Sequence, residues 1–303
     1  MSITARIKRE LRKNWVLYLM LLPGILFFII YRYGPMWGLV IAFQNYTPVR
    51  GIMGSQWVGF RHFERFFTSI FFWQLLRNTL ILSLLGTLIN FPLPIIMALM
   101  LNELRSGGFK KVVQQLTYIP HFISWVVIYS ITFNLFTFDG VINQFIYRLT
   151  GNTVPFMMSE FWFRPMIIMQ SVWRSTGWGT IIFLAALAGI DQELYEAAKI
   201  DGAKRMQMIW YITLPSLKFI VTILLILNLG SMLHTGFEQV FLMLNAMNRY
   251  VGEVFDTYVF RIGIQQGQFS YSATIGMFRS VVSFVLVLGA NRIAKSLGEE
   301  GLF

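Results

Sequence analysis

Six long apolar stretches run through the sequence, and they constrain its fold more than any other feature. They cover residues 16–34, 78–101, 113–137, 165–189, 215–243 and 273–294. A helix of roughly 20 residues crosses a hydrocarbon layer of about 30 Å. Inside lipid the backbone must pair with itself, so segments of this kind are helices. The sequence therefore predicts an all-α membrane protein with six transmembrane helices.

The composition agrees with a lipid environment. Of the 303 residues, 56% are hydrophobic and only 13% are charged, against about 25% charged in a soluble domain. The net charge of +11 comes from basic residues that flank the apolar stretches, so nucleic-acid binding is not expected. The chain has no cysteine, which excludes disulfides and cysteine-ligated metal sites.

The distribution of basic residues predicts an orientation. If the N-terminus is cytoplasmic, all eight lysines fall on the cytoplasmic side, as the positive-inside rule requires. We therefore expect both termini in the cytoplasm, a basic arm over residues 1–15 and one transmembrane domain over residues 16–303. The prolines at 92, 94 and 120 should bend the second and third spans.

Among the outside loops, the first is the most informative. A short helix is predicted there from Arg61 to Phe67, after a glycine-rich turn. The loop either lies along the membrane surface or forms a docking surface for an external partner.

A charged segment, EAAKIDGAKRMQMIWYITLP, separates the fourth and fifth apolar stretches. Asp191 is a candidate N-cap for a short helix, and Gly202 provides a corner that other residues would find strained. A second apolar-faced helix should follow, with Pro215 at the first turn of the fifth span. Residues 190–215 thus predict a rigid helix–corner–helix unit that a cytoplasmic partner can grip.

The spacing within this segment resembles a known signature. The order E-A-A, three residues, G, nine residues, I-x-L-P is similar to the loop of permease subunits of binding-protein-dependent ABC importers. It is matched at Glu196, Ala197, Ala198, Gly202, Ile212, Leu214 and Pro215. Residues 119–127 and 236–245 extend the resemblance. Residues 258–278 resemble the polysaccharide-uptake subgroup, the LplB-like permeases.

The resemblance implies a fold, a function and a set of partners. It implies a six-span type I importer permease of the bacterial plasma membrane whose loop docks onto an ATPase through the residues matching Glu196, Ala197, Ala198 and Gly202. The implied partners are a second related permease, two ATPase subunits that bind Mg-ATP, and a lipid-anchored external binding protein that delivers an oligosaccharide. This chain contains no G-x-x-x-x-G-K-[ST] motif, so no cofactor and no catalytic site are expected in it.

Polar and aromatic residues inside the spans are the candidate substrate pathway, because such residues are costly in lipid. They are Gln170, Trp173, Arg174 and Trp178 in the fourth span and Asn228, His234 and Glu238 in the fifth. The alternative role is contact between helices. Arg174 either faces the cavity, where it would pair with a uronate-containing oligosaccharide, or pairs with another helix or a partner subunit, for example through Glu238. Arg279 is expected to extend toward a membrane surface from a span end.

Other functions stay open from the sequence alone. An import permease for a non-sugar solute fits the same loop. An ion-coupled secondary carrier, which needs no ATPase, fits the spans but leaves the loop unexplained. An intramembrane enzyme is disfavoured because no catalytic constellation occurs.

Overall fold

The computed structural model of the chain describes residues 13–104, 107–296 and 298. The chain divides into two compact units, residues 1–67 with 262–277 and residues 68–261 with 278–303. Most of the arm predicted for residues 1–15 lies outside the described residues.

The first unit opens with a long apolar helical stretch, Trp15–Phe43. It is followed by two very short antiparallel strands and a short helix. The elements are α1 (Trp15–Phe28), a π-helical turn (Ile29–Tyr33), α2 (Gly34–Met36), a 3₁₀ segment (Trp37–Phe43), β1 (Gln44–Asn45), α3 (Gly51–Gly54), β2 (Gln56–Trp57) and α4 (Arg61–Phe67).

The predicted short helix is confirmed, since α4 runs from Arg61 to Phe67. It is anchored within its unit. Phe66 is fully buried and packs edge-on against Tyr271, while the Arg65 guanidinium lies 4.4 Å from the centre of that ring. The loop therefore has a defined tertiary structure.

The second unit contains the remaining helices. They are α5 (Ile70–Asn90), α6 (Pro92–Glu103), α7 (Gly108–Tyr118), a 3₁₀ turn (Ile119–Phe122), α8 (Trp125–Phe136), α9 (Val141–Thr150), α10 (Glu160–Ala188), α11 (Gln192–Ile200), α12 (Arg205–Met208), a π-helical turn (Ile209–Thr213), α13 (Leu214–Gly230), α14 (Phe237–Met243), α15 (Arg249–Gly252) and α16 (Phe255–Val259). A π-helical turn (Phe260–Gln265) and α17 (Phe269–Ser296) include residues of both units.

Proline interrupts the second and third predicted spans. Helices α5 and α6 meet at Phe91, next to Pro92, as expected from proline's missing N–H. The predicted span 113–137 is not one helix. It consists of α7, the 3₁₀ turn that contains Pro120, an extended pair at Ile123–Ser124, and α8.

The fifth predicted span, 215–243, is wrong at both ends. At its start, α12, the π-helical turn and α13 form one apolar helical stretch, Arg205–Gly230, so the predicted second cytoplasmic helix and the span are continuous. At its end, α13 stops at Gly230, and residues 231–236 are non-helical before α14. Glu238 therefore does not continue the face of the helix that carries Asn228.

Among the described residues, five helical stretches are long and apolar enough to cross a membrane. They are Trp15–Phe43, Ile70–Glu103, Trp125–Thr150, Arg205–Gly230 and Phe269–Ser296. Helix α10 has 29 residues but is not one of the five, and it carries Arg164 and Arg174.

Helix α10 is the centre of the second unit. Its first half packs with α5 and α14 in a core that includes Phe163, Met166 and Val240. Its second half packs with α6 and α13 through Phe183 and Leu187. The central helix thereby fixes the positions of the neighbours that surround the candidate site.

Candidate functional site

Helix α11 has well-defined ends. The Asp191 carboxylate accepts a hydrogen bond from the backbone N–H of Glu193 at 3.0 Å, which confirms the predicted N-cap. Gly202 has φ +79°, which confirms the predicted corner. The N–H groups of Gly202 and Ala203 donate to the carbonyls of Lys199 (3.1 Å) and Ala198 (2.9 Å). This pair of bonds is a Schellman motif, which stops the helix with its last carbonyls satisfied.

One face of α11 is exposed and the other is tied to the helical stretch after it. Glu196 and Ala197 are exposed, and Ile200 is 87% exposed. On the inner side, the Tyr195 hydroxyl lies 3.0 Å from the hydroxyl of buried Thr213. This contact joins α11 to the turn that directly precedes α13. No local sequence pattern points to Tyr195 and Thr213, because the hydrogen bond between them joins residues 18 positions apart.

The three remaining residues of the signature lie outside α11. Ile212 and Leu214 are half-buried and Pro215 is exposed. All three belong to the π-helical turn and the start of α13. They belong to the same helical stretch, Arg205–Gly230, that Thr213 joins to α11.

A polar cavity of about 180 Å³ lies between α5, α10, α13 and the non-helical segment 231–236. None of its lining residues carries a formal charge when His234 is neutral. The polar side chains are Ser83, Thr87 and Asn90 from α5, Ser171 from α10, Asn228 from α13, Ser231, His234 and Thr235 from the non-helical segment, and Gln239 from α14.

A second cavity, of about 330 Å³, adjoins the first. Asn90 and Asn228 line both. Trp178 and His121 line the second cavity, and their rings stack 4.4 Å apart with an angle of 3° between the planes. Together the two volumes reach the size of small-molecule pockets, roughly 300 to 1,000 Å³.

The boundary between the cavities contains one hydrogen bond. The Thr87 hydroxyl donates to the side-chain oxygen of Asn228 at 2.8 Å. The side-chain oxygen of Asn90 is buried without a partner among the described residues. A ligand that passes from one cavity to the other must pass these polar groups.

We expect Thr87→Val, which keeps the side-chain shape but removes the donor, to lower the transport rate roughly fivefold, since one hydrogen bond contributes about 1 kcal/mol. The measurement is solute uptake by reconstituted vesicles. Thr150→Val is the control, because the Thr150 hydroxyl bonds only backbone groups of its own segment. Equal rates for Thr87→Val and wild type would contradict a role for this boundary.

The structure brings three of the seven predicted pathway residues to the cavities. Asn228, His234 and Trp178 line them. Trp173 is 46% exposed and Glu238 is exposed, and neither lines these two cavities.

Gln170 is buried in a network that sequence reasoning did not anticipate. Its side-chain amide donates to the Thr132 hydroxyl at 2.9 Å, and its side-chain oxygen accepts from Gln239 at 3.1 Å. Gln239 also donates to the Ile167 carbonyl at 2.8 Å and accepts from Ser171 at 3.0 Å. Gln239 therefore joins α14 to α10 at the cavity wall, a role that requires the break before α14.

Arg174 is engaged by protein groups. Its Nε donates to the Ile123 carbonyl at 3.1 Å, and its guanidinium lies 4.5 Å from the centre of the Trp125 ring. The carbonyl belongs to the extended pair between the 3₁₀ turn and α8, where a helical partner is missing. Of the two alternatives for Arg174, the geometry favours contact between helices. Its acceptor is the Ile123 carbonyl rather than Glu238.

The side chains that line the cavities are suited to binding a ligand. Hydroxyls and amides offer donors and acceptors, and the Trp178 ring offers an apolar plane, a combination that suits the hydroxyls and flat faces of sugars. Among residues 13–104, 107–296 and 298, no group of three or more His, Asp or Glu side chains is placed to hold a metal ion.

Comparison with known proteins gives consistent matches. A model of the family described as "Binding-protein-dependent transport system inner membrane component" matches residues 90–298. Protein LplB of Bacillus subtilis (strain 168) is 53% identical over 303 residues, which is 100% of this chain and 94% of LplB. The polygalacturonan/rhamnogalacturonan transport system permease protein YteP of the same organism is 52% identical over 98% of this chain and 95% of its own.

A solved structure extends the likeness to the fold. A chain of a bacterial alginate ABC transporter, in complex with an alginate pentasaccharide-bound periplasmic protein, superposes with a TM-score of 0.90 and 37% identity. The match covers 98% of this chain and 100% of that chain.

Proposed function

Because the chain belongs to the family of binding-protein-dependent transport system inner membrane components, we propose that it is the permease subunit of an ATP-driven importer of uronate-containing oligosaccharides. The resemblance inferred from the 196–215 loop is confirmed. The protein is a carbohydrate-type ABC transporter permease of the membrane, and its family is one of transport components rather than enzymes.

The proposed arrangement follows the positive-inside rule. Six spans cross the membrane: the five apolar helical stretches described above and α10. Residues 16–303 act as one domain with both termini in the cytoplasm. The proposed partners are a second related permease, two ATPase subunits and a lipid-anchored external binding protein. Mg-ATP binds to the ATPase subunits.

The observation that carries the proposal is the connection from α11 to the cavities. An exposed helix with fixed ends is tied through Tyr195 and Thr213 to the stretch that carries Asn228. We infer that Glu196, Ala197 and Ala198 contact the ATPase subunit, with Gly202 fixing the corner. Closure of the ATPase then moves α13 and changes the access of the cavities. An ion-coupled carrier works without an ATPase, so it does not need an exposed cytoplasmic helix that is joined to the cavities in this way.

The proposed substrate class rests on the relatives. YteP is described as a polygalacturonan/rhamnogalacturonan permease, and the solved transporter was captured with an alginate pentasaccharide on its periplasmic protein. Both names refer to uronate polymers. The neutral, polar lining of the first cavity is suited to the hydroxyls of such chains.

Side-specific thiol labelling tests the proposed access change. The chain has no cysteine, so Ser171→Cys places a single reporter in the first cavity. We expect an impermeant thiol reagent to reach it from one side of the membrane without nucleotide and from the other after ATP is trapped on the ATPase. Thr150→Cys, at an exposed position of α9, is the control. A nucleotide-independent pattern at position 171 would favour an ion-coupled carrier.

A further inference from the structure

Arg279 is the buried centre of a polar cluster next to the first cavity. It is 6% exposed, so the expectation that it extends toward a membrane surface is wrong. One guanidinium nitrogen lies 2.7 Å from Asp256 Oδ1. The second terminal nitrogen, Nη2, donates to the Leu233 carbonyl at 3.0 Å and lies 2.7 Å from His234 Nδ1.

The cluster stabilises the non-helical segment on both sides of His234. A helix that stops at Gly230 leaves backbone groups without helical partners. Arg279 satisfies the carbonyl of Leu233, and Asp256 Oδ2 accepts from the N–H of Thr235 at 3.2 Å. The backbone around His234 is therefore held by an ion pair of zero net charge.

The contact with Arg279 also fixes where the proton of His234 lies. A guanidinium has only donors, so Nδ1 of His234 must be the acceptor of the 2.7 Å contact. In the neutral ring the proton is then on Nε2. Nε2 has no hydrogen-bond partner among the described residues, and the side chain lines the cavity.

We propose that Arg279 is a positioning residue that holds His234 as its Nε2–H tautomer, so that the imidazole donates a hydrogen bond to a uronate carboxylate in the first cavity. This proposal rests on the function proposed above. The ion pair presents its positive end to the imidazole, which strengthens the Nε2–H as a donor. An anion is thereby recognised without a formal charge in the cavity lining.

The tautomer is measured directly by ¹⁵N solid-state NMR of the assembled transporter with only this chain labelled. The chain has three histidines, and the His234 signals are assigned by their loss in His234→Gln. We expect protonated Nε2 and unprotonated Nδ1. A signal of the Nδ1–H tautomer would overturn the proposal, whatever the transporter carries.

The role of the donor is tested by the dissociation constant of trigalacturonate from the transporter assembled without binding protein. We expect His234→Leu to raise it roughly tenfold or more, the effect of one hydrogen bond to a charged group. His234→Gln, whose amide supplies a donor near the position of Nε2, should restore most of the affinity. The methyl-esterified trisaccharide, which has no carboxylate, should respond much less to His234→Leu.

The role of Arg279 is tested with the charge-balanced variant Arg279→Met/Asp256→Asn. We expect it to weaken trigalacturonate binding when His234 is present. In a chain that also carries His234→Gln it should have little further effect, because glutamine has no tautomers. Equal losses in both backgrounds would assign Arg279 a general structural role and overturn the proposal. If wild type binds neither trisaccharide, the proposed substrate class fails, while the NMR result still decides whether Arg279 sets the tautomer.

Discussion

Replacing Gly202 by valine should lower the rate of ATP-driven uptake roughly tenfold or more. The φ of +79° at this position costs a side chain with a Cβ about 1–2 kcal/mol, and the strain is relieved only if the corner opens. Opening breaks the bonds to the Lys199 and Ala198 carbonyls and frees the end of α11. The contact surface for the ATPase then loses its fixed shape. The measurement is oligosaccharide uptake together with ATP hydrolysis in reconstituted vesicles.

Two controls separate the corner from other effects. Gly202→Asn should retain most activity, because asparagine adopts positive φ more readily than other residues with a Cβ. Gly189→Ala changes a nearby glycine at φ −88°, where an added Cβ meets only ordinary contacts.

Glu196→Lys, which reverses the exposed charge of α11, should reduce uptake without affecting folding. Normal uptake in both Gly202→Val and Glu196→Lys would show that α11 only connects α10 to α12, and it would favour the ion-coupled carrier.

Gly177→Ala should have the largest effect on folding. An ideal Cβ at this position would lie 2.0 Å from the carbonyl oxygen of Thr117 and 2.5 Å from its carbon. These are backbone atoms, so α10 and the end of α7 must separate. Overpacking of a tight core typically costs about 1–3 kcal/mol and occasionally more. We expect the thermal midpoint of the purified protein to fall by several degrees and the yield of monodisperse protein to drop.

The matched control for Gly177→Ala is Gly289→Ala, because this glycine also lies within a long helix but has nothing within 4 Å of an added Cβ. It should be neutral or slightly stabilising, since alanine has the higher helix propensity. Equal stability of the two variants would show that α7 and α10 do not approach as closely as described.

The sequence predicted the elements whose causes are local. Asp191 and Gly202 delimit α11 through capping chemistry that acts within a few residues. Pro92 and Pro120 stand at helix ends, as expected from the missing N–H of proline. The helix at 61–67 follows from its flanking turn signals.

The sequence did not predict the break at 231–236, because its cause is tertiary. The stretch from 215 to 243 is apolar and contains no internal proline, so periodicity favours an unbroken helix. The break is stabilised by Arg279 and Asp256, which are distant in sequence. Gln239 reaches the cavity wall only because of it.

The predicted pathway face of α10 differs from the observed cavity lining for a related reason, since only Trp178 of its four predicted residues lines the cavities. Spacing correctly grouped Gln170 and Arg174 on one helix, but it carries no information about which neighbour each side chain meets. Gln170 meets Thr132 and Gln239, whereas Arg174 meets the exposed backbone of a helix break. Buried polar groups must be satisfied, and the partner is set by packing rather than by periodicity.

The most direct test of the account is uptake of labelled trigalacturonate by vesicles that contain this chain, its partner permease, the ATPase subunits and the binding protein. We predict accumulation that requires ATP on the ATPase side, persists when ion gradients are dissipated and is lost with Gly202→Val. Accumulation that follows an ion gradient and ignores ATP would contradict the account, because it would leave α11 without the function proposed for it.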